Sequence, residues 1–150
     1  MSYINNTRYI PKFGGNLFYV NKGNGDNSNS GTSPDKAFET IGAGIDACSE
    51  GDAITIKAGT YTELDLDLDV NSVEFWFESG AIIEPAAQAT PALIISGDSC
   101  VMKGPHIIKG TNLTGTKICL QVTGIQAHIS DGKVLSGGKR YSSYWFGCHV

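Results

Sequence analysis

The sequence predicts an all-β fold, a solenoid of stacked strands whose N-terminal end is closed by one capping α-helix. Only one stretch, residues 34–48, has a helical pattern of apolar residues. The segments after it are short and alternating, and they lack the helices that the crossovers of a layered α/β sheet require. Two later segments, 92–110 and 119–137, align without gaps at a spacing of 27 residues. A repeat of that length is typical of solenoids, in which each unit buries its apolar face only against its neighbours.

Composition sets limits on the function. The chain has 150 residues, the size of one domain, and its 19 glycines and 17% charged residues suit a turn-rich β structure. A net charge of −4 argues against nucleic-acid binding, which needs a basic surface. No apolar run is long enough to span a membrane and no signal peptide is present, so we expect neither membrane insertion nor secretion.

The cysteines give no sign of a metal or redox centre. None of them forms a C-x-x-C pair, so zinc binding and thioredoxin-like chemistry are disfavoured, and we expect no cofactor and no metal. We predict buried free thiols, which suit synthesis in a reducing cytoplasm. The four positions are Cys48, Cys100, Cys119 and Cys148.

Residues 1–16 are predicted to form an N-terminal arm or linker, and residues 17–150 the solenoid. The arm is polar, contains Pro11 and a Gly14-Gly15 pair, and has no sustained period. Its fate is either a disordered tail or a segment that docks on a partner or on the body of the protein. Its apolar residues favour docking: Tyr3, Ile4, Tyr9, Ile10 and Phe13.

The loop after the first strand, Leu17 to Val20, has a partial calcium-binding pattern. Its Asp26, Ser28, Ser30 and Gly31 fall at positions 1, 3, 5 and 6 of an EF-hand-like loop, but the twelfth position is an alanine, where such a loop needs a bidentate glutamate. We therefore predict that the polar side chains of this loop cap its turns and bind no metal.

The helix is predicted from about Pro34 to Cys48. Ser33 is a suitable N-cap and proline suits the first helical position. One apolar stripe follows it, and the open end of the solenoid is the surface on which we expect that stripe to pack. The stripe consists of Phe38, Ile41, Ile45 and Cys48.

Residues 24–63 carry a resemblance to a known family. They read NGDNSNSGTSPDKAFETIGAGIDACSEGDAITIKAGTYTE, which resembles the N-terminal start of the right-handed parallel β-helix (pectate-lyase-like) superfamily, with its Asp/Asn-Ser-Gly-Thr loop, capping helix, Gly-Asp turn and Gly-Thr-Tyr. The resemblance implies a right-handed parallel β-helix with coils over about residues 52–150. In the phage tailspike and tail-fibre branch it also implies three identical subunits packed side by side. No position matches a catalytic motif of the family, so no catalytic residue is carried over.

An alternating segment, Leu64 to Val70, places three carboxylates in one row. Clustered carboxylates occur in acid–base and calcium sites, but a row along one strand face is by default exposed to solvent, and that interpretation is favoured here. These carboxylates belong to Asp65, Asp67 and Asp69.

The repeat register predicts which residues stack. His128 is then expected to face solvent, and an ordinary structural role is favoured for His106. The core pairs are predicted to be Leu93 with Leu120, Ile95 with Val122, Cys100 with Ala127, and Met102 with Ile129.

Two groups of residues are candidates for binding. Trp76 and Ile94 are predicted to share one outward strip, covered either by the arm or, as we favour, by another subunit. Tyr141, Tyr144 and Trp145 are candidates for stacking on sugar rings, although they would equally well cover the last coil or a subunit contact. Because the chain ends within an alternating run, the solenoid is expected to continue or to be capped by another subunit.

Three classes of function follow. The leading expectation is a virion structural and adhesion protein, made in the host cytoplasm: the base of a homotrimeric tailspike-like or fibre-like β-helix, with its arm on other virion proteins and a possible cell-surface polysaccharide as ligand. The alternatives are the N-terminal part of a polysaccharide lyase or hydrolase, and a carbohydrate-binding module. The sequence leans against an enzyme because it contains no catalytic constellation.

Overall fold

The computed structural model describes residues 14–86, 91–105, 107–110, 120–136 and 139–140. Within these residues the chain forms one α-helix, α1 (Ile41–Ala47), and a 3-10 turn at Pro34–Lys36. The strands, in chain order, are β1 (Leu17–Val20), β2 (Ala53–Ile56), β3 (Gly59–Tyr61), β4 (Leu66–Leu68), β5 (Glu74–Phe77), β6 (Ala81–Ile83), β7 (Leu93–Ile95), β8 (Val101–Lys103), β9 (Ile107–Gly110), β10 (Leu120–Val122), β11 (His128–Ile129), β12 (Lys133–Ser136) and β13 (Lys139–Arg140).

These strands form three small sheets. The first sheet has the order β1-β2-β5-β8-β11, the second β4-β7-β10, and the third β3-β6-β9-β12-β13. Neighbouring strands are parallel except β12 and β13, which pair antiparallel. In the first and second sheets the chain therefore returns to the same sheet after visiting another, and each returning strand pairs with the strand that it left there before.

The predicted right-handed parallel β-helix is wrong. Over the described ranges the three sheets are small and unequal, and they do not form a closed solenoid. The second sheet has three described strands, and α1 contacts its first strand, β4. The third sheet ends in an antiparallel pair, which breaks the parallel stacking that a solenoid requires.

One apolar core lies between the three sheets and α1. Tyr61, Phe75, Leu93 and Met102 are all at least 99% buried, and they come from strands of all three sheets. Burial of such side chains contributes about 1.5–3 kcal/mol each relative to exposure. Packing between the sheets is thus a large source of stability.

The predicted 27-residue register is confirmed at the residue level. Leu93 pairs with Leu120 and Ile95 with Val122 in the second sheet, and Met102 pairs with Ile129 in the first. The same step also joins β4 to β7, since Leu66 pairs with Leu93. The repeat therefore extends one layer further toward the N-terminus than the sequence alignment indicated.

The turn between the second and first sheets repeats as well. Ser72, Ser99 and Gln126 have positive φ values of 57°, 56° and 58° at the same place in successive layers. The Oδ1 atom of Asn71 accepts a hydrogen bond from the backbone N–H of Asp98 at 2.9 Å, and the Oδ1 atom of Asp98 accepts one from Ile125 N–H at 2.9 Å. We call this series of bonds the turn ladder; it holds each layer in register with the next.

The helix is shorter than predicted. Residues 34–36 form the 3-10 turn, Ala37 is extended with ψ 150°, and α1 begins only after Thr40, whose side chain accepts a hydrogen bond from Ala43 N–H. Ser33 makes no side-chain capping bond. The interruption has a cause in the preceding loop: Asn27 Oδ1 accepts hydrogen bonds from the backbone N–H groups of Glu39 and Thr40 at 2.9 and 3.1 Å, which fixes the entry to the helix.

The predicted apolar stripe is nevertheless buried. Phe38, Ile41 and Ile45 lie in the core, and Cys48 packs against it. Helix α1 contacts β1, β2 and β4, so it joins the N-terminal strands of the first and second sheets.

Candidate functional site

The polar loop before α1 uses its side chains to hold its own backbone. Asp26 Oδ1 accepts hydrogen bonds from the N–H and hydroxyl of Ser28 at 2.8 and 2.7 Å, and these bonds lower the pKa of the Asp26 carboxyl. Asn29 donates from its side chain to the carbonyl oxygen of Ala37 at 3.0 Å. The prediction that this loop caps turns is confirmed.

A carboxylate from a distant strand end completes the start of α1. The two carboxylate oxygens of Glu63 accept hydrogen bonds from Ile41 N–H at 2.8 Å and Gly42 N–H at 2.7 Å. These are N–H groups that have no partner within the helix itself. Bonds of this kind to a charged acceptor are strong, and they tie α1 to the segment after β3.

Replacement of Glu63 by alanine is expected to lower the free energy of unfolding by about 1–3 kcal/mol, because two N–H groups at the start of α1 lose their acceptor. Glu63→Gln keeps one acceptor oxygen and should cost less. Urea titration followed by circular dichroism measures both. Glu50→Ala, at an exposed carboxylate, is the control, and an equal loss in Glu50→Ala and Glu63→Ala would contradict the assigned role.

The two buried carboxylates among the described residues, Asp52 and Glu74, are bound to donors within the protein. Asp52 accepts hydrogen bonds from Asn16 N–H at 2.6 Å and from Ser49 N–H at 2.8 Å. Glu74 accepts one from the indole N–H of Trp76 at 3.0 Å. Asp52 thus attaches the end of the predicted arm to the body, with a further backbone bond from Gly15 to Gly51.

The described thiols and one tyrosine are shielded from solvent. Cys48 and Cys100 are free; Cys100 is buried, as predicted, whereas Cys48 is only half-buried. Loss of solvation, together with the nearby charge of Asp52, raises the pKa of Cys48 from 9.0 to about 12. Burial likewise raises the pKa of Tyr61 from 10.0 to about 12, and its hydroxyl donates to Lys57 O at 2.9 Å. These groups stay protonated and unreactive near neutral pH.

These raised pKa values predict loss of stability in base. Below pH 9 both groups are protonated in the folded and unfolded states, whereas between about pH 9 and about pH 12 only the unfolded chain releases their protons, so the free energy of unfolding falls as pH rises. Urea midpoints at a series of alkaline pH values measure the fall. Cys48→Ala should show a shallower decline than the wild type, and parallel curves would contradict the assignment.

The predicted row of carboxylates is only partly formed. Strand β4 covers Leu66–Leu68 alone, and Asp65 has a positive φ of 55°, which breaks the strict alternation at that point. Leu64 is consequently 46% exposed. Asp67 faces outward and accepts a hydrogen bond from the Ser96 hydroxyl of the next layer at 2.7 Å. All three carboxylates are exposed, as predicted; Asp67 joins neighbouring layers, and the row does not converge on a site.

Trp76 and Ile94 do not share one strip as predicted. Trp76 lies in the first sheet between Thr55 and Lys103, whereas Ile94 lies in the second sheet between Asp67 and Gln121. Both side chains are half-buried. The alternation correctly placed them away from the core but could not show which sheet each belongs to.

The remaining candidates are placed as follows. His128 is exposed and pairs with Val101, in agreement with the prediction that it faces solvent. His106 and the sugar-stacking candidates Tyr141, Tyr144 and Trp145 lie outside the described residues.

The prediction that Val122 lies in the core is wrong, and sequence reasoning did not identify the exposed apolar group to which it belongs in the last described layer. Val122 occupies the position of Leu68 and Ile95, which are 1% exposed, yet it is 39% exposed itself. Ile125, in the neighbouring turn, is 66% exposed. We call Val122 and Ile125 the end patch. The only signal in the sequence was Ile125, an apolar residue at the turn position where earlier layers have Asn71 and Asp98.

Over the described part of the chain, no group of three or more His, Cys, Asp or Glu side chains is arranged to hold a metal ion, and no helix is long and apolar enough to cross a membrane. Comparisons with protein-family models, curated proteins and solved structures find no match to this chain. The pectate-lyase-like resemblance therefore stays a prediction. The function proposed below rests on that resemblance together with the contacts and surfaces described above.

Proposed function

We propose that this chain is a structural and adhesion module of a virion, which assembles as a homotrimer and is joined to other virion proteins through residues 1–16. The observation that carries the structural role is the use of its polar groups. The carboxylates of Asp52 and Glu63 bind backbone N–H groups, and the turn ladder links one layer to the next. Such groups stiffen a scaffold. The virion location rests on the sequence resemblance.

The positions of Trp76 and Ile94 support a cyclic trimer. In a ring, each subunit presents one patch to the neighbour on one side and a different patch to the neighbour on the other. Two half-buried apolar side chains on different sheets suit that arrangement, because the first sheet of one subunit can pack on the second sheet of the next.

Light scattering coupled to gel filtration tests the assembly. A subunit of 15.9 kDa is expected to give a particle of three subunits or a multiple of three. Ile94→Glu should dissociate it, whereas Thr60→Glu, at an exposed position of the third sheet, should not. A wild-type protein that stays monomeric at high concentration would contradict the proposal.

The location and the adhesive role need separate tests. An antibody against the chain is expected to label purified virus particles at an external appendage, and label confined to the soluble fraction of infected cells would contradict a virion role. A cell-surface polysaccharide is the proposed ligand. Binding on a glycan array that is lost in Trp145→Ala would support sugar contact by that residue, whereas unchanged binding would remove it from the site.

A further inference from the structure

In the last described layer of the protein, two sheets end without a further described strand. This layer, residues 120–130, contains β10 and β11. Among the described strands, β10 pairs only with β7 and β11 only with β8, so each is the edge of its sheet. Edge strands expose backbone N–H and C=O groups, and proteins normally cover or protect them. The third sheet differs, because β13 pairs with β12 at the same end.

The end patch makes this edge apolar. Val122 faces the same side as the buried side chains of Leu68 and Ile95 below it, and Ile125 projects from the adjoining turn. Val122 thus occupies a position that is buried in the two earlier layers, but no further described layer stacks on it.

The turn ladder also stops in this layer. Asn71 and Asp98 each supply an acceptor oxygen to the backbone of the layer above, but the equivalent residue here is Ile125, which has no polar atom in its side chain. Another layer of the same kind would thus find no acceptor for its turn. This end therefore offers no side-chain acceptor of that kind to a further layer.

Charge disappears along the stack. The equivalent segments 66–76, 93–103 and 120–130 contain three, two and no Asp, Glu, Lys or Arg residues, respectively. In a chain of net charge −4, the first and second sheets of the last described layer are thus the surface that can approach its own copy with the least like-charge repulsion, and the nearest charges, Asp131 and Lys133 in the segment that leads into the third sheet, are of opposite sign. The side chains around the end patch, Gln121, Thr123 and Gln126, are uncharged hydrogen-bonding groups suited to a polar rim.

We propose that a second copy of this chain packs on the end patch, so that two molecules meet end to end about a two-fold axis. A two-fold contact uses the same surface on both partners, and an axis that passes beside the end patch places the two copies of Ile125 next to each other. Val122 and Ile125 of each copy become buried. This inference rests on the proposed structural role, since it states how trimeric units are joined in pairs.

Ile125→Lys in the full chain tests the contact. Leu64→Lys is the matched control, since Leu64 is an exposed aliphatic residue of the same size. Light scattering is expected to show the particle mass halved in Ile125→Lys and unchanged in Leu64→Lys. A particle mass in Ile125→Lys equal to that of a trimeric wild type would overturn the end-to-end contact and leave the proposed function standing. A monomeric wild type would overturn both.

Cross-linking provides a second readout that does not depend on tolerance of a charge. Ile125→Cys, oxidised with diamide, is expected to give a covalent dimer on a non-reducing gel, because a two-fold axis brings the two copies of this residue together. Wild type and Leu64→Cys should give none above background. No cross-link in Ile125→Cys, or an unchanged mass together with lower stability in Ile125→Lys, would overturn the proposal.

Discussion

Phe75→Ala is expected to lower the free energy of unfolding by about 3–5 kcal/mol, since the substitution removes a large aromatic side chain from the centre of the core. Phe75 is 0% exposed, is flanked in the first sheet by Ile54 and Met102, and lies 6.0 Å from the ring of Phe77 in an edge-to-face contact. For a domain whose total stability is about 5–15 kcal/mol, this is a large share. Urea titration monitored by circular dichroism measures the change.

Leu64→Ala is the control for Phe75→Ala, since Leu64 is 46% exposed. It should change the free energy of unfolding by no more than about 0.5 kcal/mol. Similar losses in the two variants would show that the three sheets do not share the core assigned to them.

Gly97→Ala is expected to destabilise the protein by about 1–3 kcal/mol, through the steric cost of overpacking. A methyl group at this position would overlap the carbonyl oxygen of Val70 in the layer below and lie 3.1 Å from Cys100 Sγ. The neighbour is backbone held in the stack, so it cannot move aside without displacing its layer. Gly124 makes the same close approach to the carbonyl oxygen of Gly97, and Gly124→Ala should behave alike.

The control for Gly97→Ala is Gly23→Ala, whose methyl group would have as its nearest neighbour the flexible side chain of Asn21 at 3.6 Å. Thermal unfolding should show a clearly lower midpoint temperature for Gly97→Ala than for the wild type. The midpoint of Gly23→Ala should stay close to that of the wild type. Equal midpoints would contradict the close stacking of successive turns.

The sequence predicted features that depend on local alternation and on the repeat. The structure contains the predicted partners of Leu93, Ile95 and Met102, the burial of the predicted stripe residues Phe38, Ile41 and Ile45, and the capping role of Asp26. Each of these depends on residues that are close in the chain or related by one fixed step of 27 residues. Period and spacing report such relations directly.

The sequence did not predict features set by distant contacts. The start of α1 is fixed by Asn27 and Glu63, which lie 13 and 22 residues from the N–H groups that they bind. The predicted solenoid is wrong because the alternation within one strand does not show how a sheet ends. Here one sheet has a helix beside its first strand and another ends in an antiparallel pair. The assignment of Trp76 and Ile94 to one strip is wrong for a related reason. The turns between strands, and not the alternation within them, decide to which sheet a residue belongs.

The turn ladder has a direction. In its side-chain bonds the Oδ1 atoms of Asn71 and Asp98 accept from the chain that follows, so these acceptors are already in place on the layer made before. The backbone N–H groups of Ser72 and Ser99 find their acceptors, the carbonyl oxygens of Asp98 and Ile125, only on the layer made after. A chain that leaves the ribosome N-terminus first can be templated turn by turn through the side-chain bonds, with the buried core of the early strands formed before the later ones are synthesised. We expect ribosome-bound chains stalled well after residue 110 to resist protease across residues 14–86, and uniform digestion of that region would show that templating does not begin until synthesis is complete.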